Sequence, residues 1–400
     1  MSSTARCPMH GVRTLPDDGT PLRPSRTLND WRDEAAATPL RYADGHDGLI
    51  VTRHELAQAV LADPRFSQQP QRMPLETESS ADPPDLAAQR SMREAGLLGL
   101  DGGEHARLRR AITSRFSVRA VRGIRDVVAS TVSDQLQRLL MGGSPANVTT
   151  AYAEPISARM HCHVLGIPNE FADTFSTLFV GGGTTQQKFD FIREVIDAKR
   201  SHPGEDVLSD LVRGELSQSE IEGLALVLMA SGRDSVAYMI ATTTVALLTH
   251  PDQRAVLRTD PALMKGAVEE FMRYGAMFLT LFPRTALEDV ELDGVRIRAG
   301  QSVSVSSVGA NRDERRFEDP DRFDVKRDAF GHLGFGHGRH GCVGQQLARV
   351  EITEAISQLF ATVPDMRLVE AEQMSPQPFA NPVGTYEAGD VIVAWGGMSS

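Results

Sequence analysis

The sequence predicts a mainly α-helical protein with a small β-sheet subregion, and three observations carry that expectation. Apolar residues recur at helical spacing over long stretches, notably 118–141, 147–164 and 342–363. The span after Ser217-x-x-Glu220, a capping-box pattern, runs without proline to His250-Pro251 and reads as one long helix ending near Thr249. Strand-like pieces bounded by turn residues are short and confined to 41–52, 282–306 and 377–395.

Composition narrows the class. The chain of 400 residues is long for one domain, yet no low-complexity linker divides it, so a single domain over 1–400 is expected, with 1–38 (Pro16, Pro21, Pro24) as a surface arm. Hydrophobic content of 41% with 24% charged residues suits a globular protein with a sizeable core. A net charge of −11 and the lack of a basic tract speak against nucleic acid as a partner. The longest uncharged apolar stretch, 235–249, is too short for a bilayer helix, and the N-terminus lacks a signal-peptide core, so a cytoplasmic location without membrane contact is expected. Cys7, Cys162 and Cys342 are too few for a disulfide scaffold. Cys7-x-x-His10 is half a zinc motif, and His161 and His163 point apart on a helix around Cys162, so neither reads as a metal site.

In chain order, Asp44-Gly45 and Asp47-Gly48 mark a hairpin, and a helix follows over 54–62. Residues 67–103, with scattered Met73, Leu75, Met92, Leu97 and Leu98, lack periodicity and read as a long irregular segment of the kind that usually serves function. A helix starts at Glu104, and His105 and Arg109, four apart, share a face that suits an anion. The helices over 118–141 and 147–164 read as scaffold, closed by Gly166-Ile167-Pro168. Gly181-Gly182-Gly183 joins two further helices by a pliable turn.

Within the long helix, Ala230-Ser231-Gly232-Arg233-Asp234-Ser235 breaks local rules. Glycine costs about 1 kcal/mol inside a helix, and an acid and an alcohol are expensive to bury. Such joint violations point to function. Further on, Glu270 and Arg273 lie one turn apart, and Arg284 opens the second strand region, where Asp293-Gly294 marks a hairpin turn.

The most distinctive stretch is Phe335-Gly336-His337-Gly338-Arg339-His340-Gly341-Cys342-Val343-Gly344. Cys342 is expected in the first turn of the helix that follows, where unpaired N–H groups favour a thiolate. Glycines at 336, 338, 341 and 344 clear the approach for backbone N–H groups and for a flat cofactor. Gly336-x-Gly338-x-x-Gly341 also spells a dinucleotide fingerprint, but no buried strand precedes it. An inert buried cysteine leaves the glycine pattern unexplained.

Phe335-Gly336-x-Gly338-x-His340-x-Cys342-x-Gly344 resembles the haem-ligand signature of the cytochrome P-450 superfamily, the haem-thiolate monooxygenases. The resemblance implies a cytochrome P-450-like fold, haem b as cofactor, Cys342 as the iron ligand, and Phe335, Gly336 and Gly344 around it. It assigns His105, Arg109, Arg284 and His340 to the haem propionates. Gly232 would open a groove for dioxygen and Asp234 with Ser235 would deliver protons, Ser231 and Ser235 standing where the family usually has Ala and Thr. Glu270 and Arg273 would join Arg322 of Pro320-Asp321-Arg322-Phe323 in a buried network, and Ala310-Asn311-Arg312-Asp313 matches a recurrent structural stretch. Residues 67–103, 278–282 and 382–386 would line or cover the substrate pocket, and the 181–183 turn would help to open it. The implied activity is insertion of one oxygen atom from O2 into a C–H or C=C bond of a largely apolar small molecule, such as a polyketide, macrolide or peptide antibiotic precursor. Because the chain has no flavin or iron–sulfur module, a ferredoxin and a ferredoxin reductase would supply electrons to a monomeric enzyme. A peroxide-driven peroxygenase and a non-catalytic haem-binding sensor are the alternatives.

Overall fold

Thr38–Arg41 (β1) and Asp47–Val51 (β2) form the expected hairpin, and His54–Ala62 (α1) and Phe66–Ser67 (β3) follow. The computed structural model describes residues 11–69, 86–179, 182–373, 377–380 and 383–396. Cys7, His10, Met73, Leu75, Gly181 and Pro382 lie outside them.

The segment read as irregular contains a helix, Leu86–Ala95 (α2). Its buried face is made of Ala88, Ser91 and Ala95 while Met92 is exposed, so small residues at helical spacing carry the packing and no large apolar stripe signals it. Next come Gly102–Thr113 (α3), Arg125–Gly142 (α4), Glu154–Leu165 (α5), Ala172–Phe179 (α6) and Thr185–Ser201 (α7).

The expected long helix is two: Gln218–Ala230 (α8) and Arg233–Thr249 (α9). Ser217 and Glu220 form the capping box at its start. Ser231 is extended and Gly232 sits at φ +94°, a left-handed conformation that ends α8 and restarts the chain as α9. The 218–249 stretch is apolar and long enough to cross a membrane, but every residue of α9 from Val236 to Leu247 is buried inside the protein, as in a core helix. Gly223 of α8 allows a close approach to α2, since a Cβ there would stand 2.3 Å from the Ser91 carbonyl oxygen.

After Met264–Tyr274 (α10) come Arg284–Ala286 (β4), Ser302–Val305 (β5) and Gln345–Thr362 (α11). The largest sheet has the order β1-β2-β5-β4-β3, with β2 and β5 parallel and the other pairs antiparallel. Asp293 and Gly294, both at positive φ, turn the small hairpin between β4 and β5. Arg367–Gln373 (β6), Gln377–Ala380 (β7), Val383–Thr385 (β8) and Ala388–Ala394 (β9) end the chain. The 377–395 region is not one hairpin: β7 pairs with β8, while β9 returns to β6, burying Val391 and Val393 in the core.

α9 is the axis of the helical layer, packed on α5, α11 and β9, and α11 also packs on α4 and α10. Beneath it Glu270 and Arg273 form a fully buried bidentate pair. The third member is Arg327, whose Nε lies 3.3 Å from Glu270 Oε1; the Arg322 side chain instead is exposed beside Asp324. Residues 320–322 contribute backbone: the Pro320 and Arg322 carbonyls accept from Arg273. Asn311 accepts from Arg273 through its carbonyl and from the Leu333 N–H through its side chain, and Arg312 stacks on Tyr274. The Ala310–Asp313 stretch is therefore structural.

Candidate active site

Cys342 stands ahead of α11 rather than in its first turn. The helix begins at Gln345 with Gly344 as N-cap, and the cysteine closes a loop in which its own N–H donates to the Phe335 carbonyl at 2.8 Å. Gly336 and Gly338 hold φ +67° and +70°, and a Cβ at Gly338 would come within 2.7 Å of the Leu61 carbonyl oxygen. The loop thus seats on α1 through a position open only to glycine.

The Gly344 and Gln345 N–H groups at the helix start favour the ionised sulfur. Arg109 and Arg349 add positive charge. Burial still raises the thiol above its usual range, and it takes a cation bonded to the sulfur to deprotonate it fully. Cys342 is exposed as a residue although protein atoms crowd its sulfur. Cys162 lacks such a setting: burial pushes its thiol up to about 11 with only Arg233 opposing.

A second group surrounds the start of α3. His105 and His340 face each other with ring centroids 4.1 Å apart. Burial lowers both imidazoles, His340 to about 4 with the charges of His105 and Arg284 adding to the effect. Arg284 is 4% exposed, donates to the Phe282 carbonyl at 2.9 Å, and has no ion-pair partner among the described residues. Burial lowers its guanidinium to about 10. Arg109 donates to the Gly341 carbonyl, tying α3 to the cysteine loop, whereas Arg107 leaves by another face to pair with Glu220.

Sequence reading missed Asp101, the residue before α3. It accepts from His340 Nε2 at 3.2 Å and from the Gln68 N–H at 3.2 Å, and Ser67 also donates to it. An Asp preceding Gly-Gly and a helix is a start signal that could have marked it. Also missed were Glu269, which holds Arg349 at 2.6 Å and His332 at 3.1 Å, and the stacking of Arg349 on Phe335 at 4.5 Å from the ring centre. Burial alone raises the Glu351 carboxyl of α11 to about 8.

The third group lies at the α8–α9 break. Asp234 and Ser235 are in the first turn of α9 rather than in mid-helix. The Asp234 side chain is 72% exposed, with Oδ1 3.6 Å from Arg233 Nη1, and Ser235 Oγ donates to the Gly232 carbonyl at 3.2 Å. The expected burial cost does not arise, because a break at Gly232 turns these residues into a helix start, where an acid is favoured.

The cytochrome P450 family model matches residues 160–362. Cytochrome P450 105A3 of Streptomyces carbophilus is 37% identical over 91% of this chain and 92% of its own length. The mycinamicin IV hydroxylase/epoxidase of Micromonospora griseorubida is 36% identical over 81% of this chain and 84% of its own. The crystal structure of cytochrome P450 MoxA from Nonomuraea recticatena superposes with a TM-score of 0.84 at 30% identity, covering 97% of this chain and all of that one.

Haem b brings two carboxylates and an iron that accepts a sulfur. The donors match it: a buried guanidinium with no carboxylate within ion-pair distance among the described residues, two facing imidazoles, and a cysteine whose sulfur lies near two cationic arginines and the amides of the following helix start. Fold, loop and relatives agree, and the chain belongs to the cytochrome P450 family, as a monooxygenase that binds haem b.

Proposed function

We propose that Cys342 would bind the haem iron through its sulfur, and that the enzyme hydroxylates or epoxidises a largely apolar secondary metabolite such as a polyketide, macrolide or peptide antibiotic precursor. The observation that carries this reading is the glycine-lined Cys342 loop, tied to α3 by Arg109, beside the buried Arg284, which has no carboxylate within ion-pair distance among the described residues. A relative whose name gives both hydroxylation and epoxidation supports the substrate chemistry. Electrons come from a ferredoxin reduced by its reductase, in the cytoplasm, to a monomeric enzyme. The peroxygenase and sensor alternatives gain no support from the relatives.

When bound, haem supplies dioxygen activation and the oxidising power. The chain's own residues do the rest. Gly344 and Gln345 amides and Arg349 stabilise charge on the Cys342 sulfur. Arg284, His105, His340 and Arg109 hold the propionates, each charge-assisted bond contributing about 1.5–3 kcal/mol. Phe335 and Gly336 would border the haem beside Cys342, and Gly232 would leave room for dioxygen. The Asp234 carboxyl and the Ser235 hydroxyl hold and pass protons, a task for which positioned groups contribute roughly 10²–10⁴-fold.

The test is a substrate panel read by the low-to-high-spin shift of the haem spectrum, followed by turnover of the hits with ferredoxin, reductase and isotopically labelled O2. One labelled oxygen atom per product is expected. Reductant-independent turnover with peroxide, or label absent from every product, would refute the reading.

A further inference from the structure

Glu269 and Glu270 are neighbours on α10, and consecutive residues of a helix point to different sides. Glu270 pairs with Arg273 beneath the helical layer. Glu269 meets α11 instead, and its carboxylate receives two groups that lead to opposite ends of the cysteine loop. Arg349 Nε donates to Oε1 at 2.6 Å and Nη2 to Oε2 at 2.9 Å, a bidentate pair. His332 Nε2 donates to Oε2 at 3.1 Å. The direction of this last bond is fixed, because His332 Nδ1 accepts from the Gly334 N–H at 3.0 Å and so carries a lone pair.

Each partner reaches Cys342 by a short chain of contacts. From His332 the loop passes Gly334, where a Cβ would stand 2.7 Å from the Met272 carbonyl oxygen of α10, to Phe335, whose carbonyl accepts from the Cys342 N–H. From Arg349, Nη1 donates to the Gln345 carbonyl and to its side-chain oxygen, both at 3.1 Å, and Gln345 Nε2 donates to the Cys342 carbonyl at 3.2 Å. The Arg349 guanidinium also lies 4.5 Å from the centre of the Phe335 ring, so the two chains meet. The side chains of Glu269, Arg349 and His332 are 19%, 25% and 3% exposed, and charge in such a group is weakly screened. Burial opposes ionisation of Glu269, but the bonds from His332 and Arg349 outweigh it and hold the carboxyl down at about 2, so it stays charged near neutral pH. The Arg349 charge in turn is felt at the Cys342 sulfur.

We propose that Glu269 is a positioning residue of the cysteine loop: it fixes the entry of the loop through His332 and its exit through Arg349, and by balancing the Arg349 charge it sets the reduction potential of the iron that Cys342 would hold. The proposal rests on the assignment of Cys342 as the iron ligand. Groups behind a metal ligand orient it and tune the metal without touching it. Reduction adds negative charge to the site, so an unopposed cation near the sulfur favours the reduced form and an unopposed carboxylate disfavours it.

The experiment measures the reduction potential of the haem-loaded parent, Glu269→Gln, Arg349→Gln and the double variant, with the reduced carbon monoxide spectrum of each. Glu269→Gln should raise the potential and Arg349→Gln should lower it, each changing the ratio of reduced to oxidised protein by about ten-fold, or about 59 mV for one electron. The double variant, with both charges gone, should return close to the parent. A merely structural role would move both single variants in the same direction and add up in the double variant. His332→Phe removes the other arm without changing charge; its potential should stay parental while its red-shifted carbon monoxide band decays faster on mild heating. Should Glu269→Gln load no haem, Arg349→Gln and Arg349→Lys decide, with a lowered potential expected in the first and a near-parental one in the second, which keeps the charge. Parental potentials in all variants, shifts of one sign, or a parental decay rate in His332→Phe would overturn the proposal; a parent without the red-shifted band would overturn the assignment beneath it.

Discussion

Glu270 and Arg273 bind each other through two parallel hydrogen bonds, Nε to Oε2 at 2.6 Å and Nη2 to Oε1 at 2.8 Å, with both side chains fully buried. Glu270 Oε1 also accepts from the Asp324 N–H at 3.0 Å and from Arg327. Glu270→Gln leaves Arg273 without its counter-charge and should destabilise the protein by about 3–5 kcal/mol. Arg327→Ala should cost less but still be measurable, and Arg322→Ala, at an exposed side chain, should stay within about 0.5 kcal/mol of the parent. Urea unfolding of the haem-loaded variants checks this order, and equal effects of the two arginine variants would show that Arg327 is not the third member.

Arg284 and Arg109 should act in cofactor retention, and Arg107, paired with Glu220 on another face, should not. Loss of about 1.5–3 kcal/mol per removed contact corresponds to haem release faster by roughly ten-fold or more in Arg284→Ala and Arg109→Ala. Transfer of haem to an excess of apomyoglobin reads the rate. Indistinguishable rates in all three variants would remove the propionate assignment.

His161 gives a pH dependence of stability. Its imidazole, pushed to about 4 by burial and by Arg233, stays neutral in the folded protein while the unfolded chain takes up a proton near the ordinary histidine value of about 6.5. The unfolded state therefore binds more protons between these two values, and stability should fall as pH drops from 6.5 toward 4, by about 3 kcal/mol from this group. His161→Gln should flatten that part of the curve in thermal unfolding at stepped pH. A parental slope in the variant would assign the acid loss to other groups.

The fold class and the cysteine loop were legible in the sequence because their signals are local. Helical periodicity, the Ser217-x-x-Glu220 cap, the Asp293-Gly294 turn and the glycines around Cys342 each act within a few residues. What was not legible depends on residues far apart in the chain. The 230–235 segment reads in sequence as a rule-breaking stretch inside one helix, and only the positive φ of Gly232 shows that the helix ends and restarts there. The face of α2 is built from alanine and serine, whose small size makes sense only against Gly223. Asp101 meets His340 across 239 positions, and Arg327 rather than Arg322 reaches Glu270 because the backbone of 320–322 is occupied with Arg273. The pairing of β9 with β6 was hidden for the same reason, since a strand's partner is set by the core it covers.

The central claim is that the Cys342 sulfur would hold the haem iron. The most direct measurement is the absorption spectrum of the reduced carbon monoxide complex for the parent, Cys342→His and Cys162→Ser. The account predicts a red-shifted, thiolate-type Soret band in the parent and in Cys162→Ser, and its loss in Cys342→His. Persistence of that band in Cys342→His, or its disappearance in Cys162→Ser, would contradict the account.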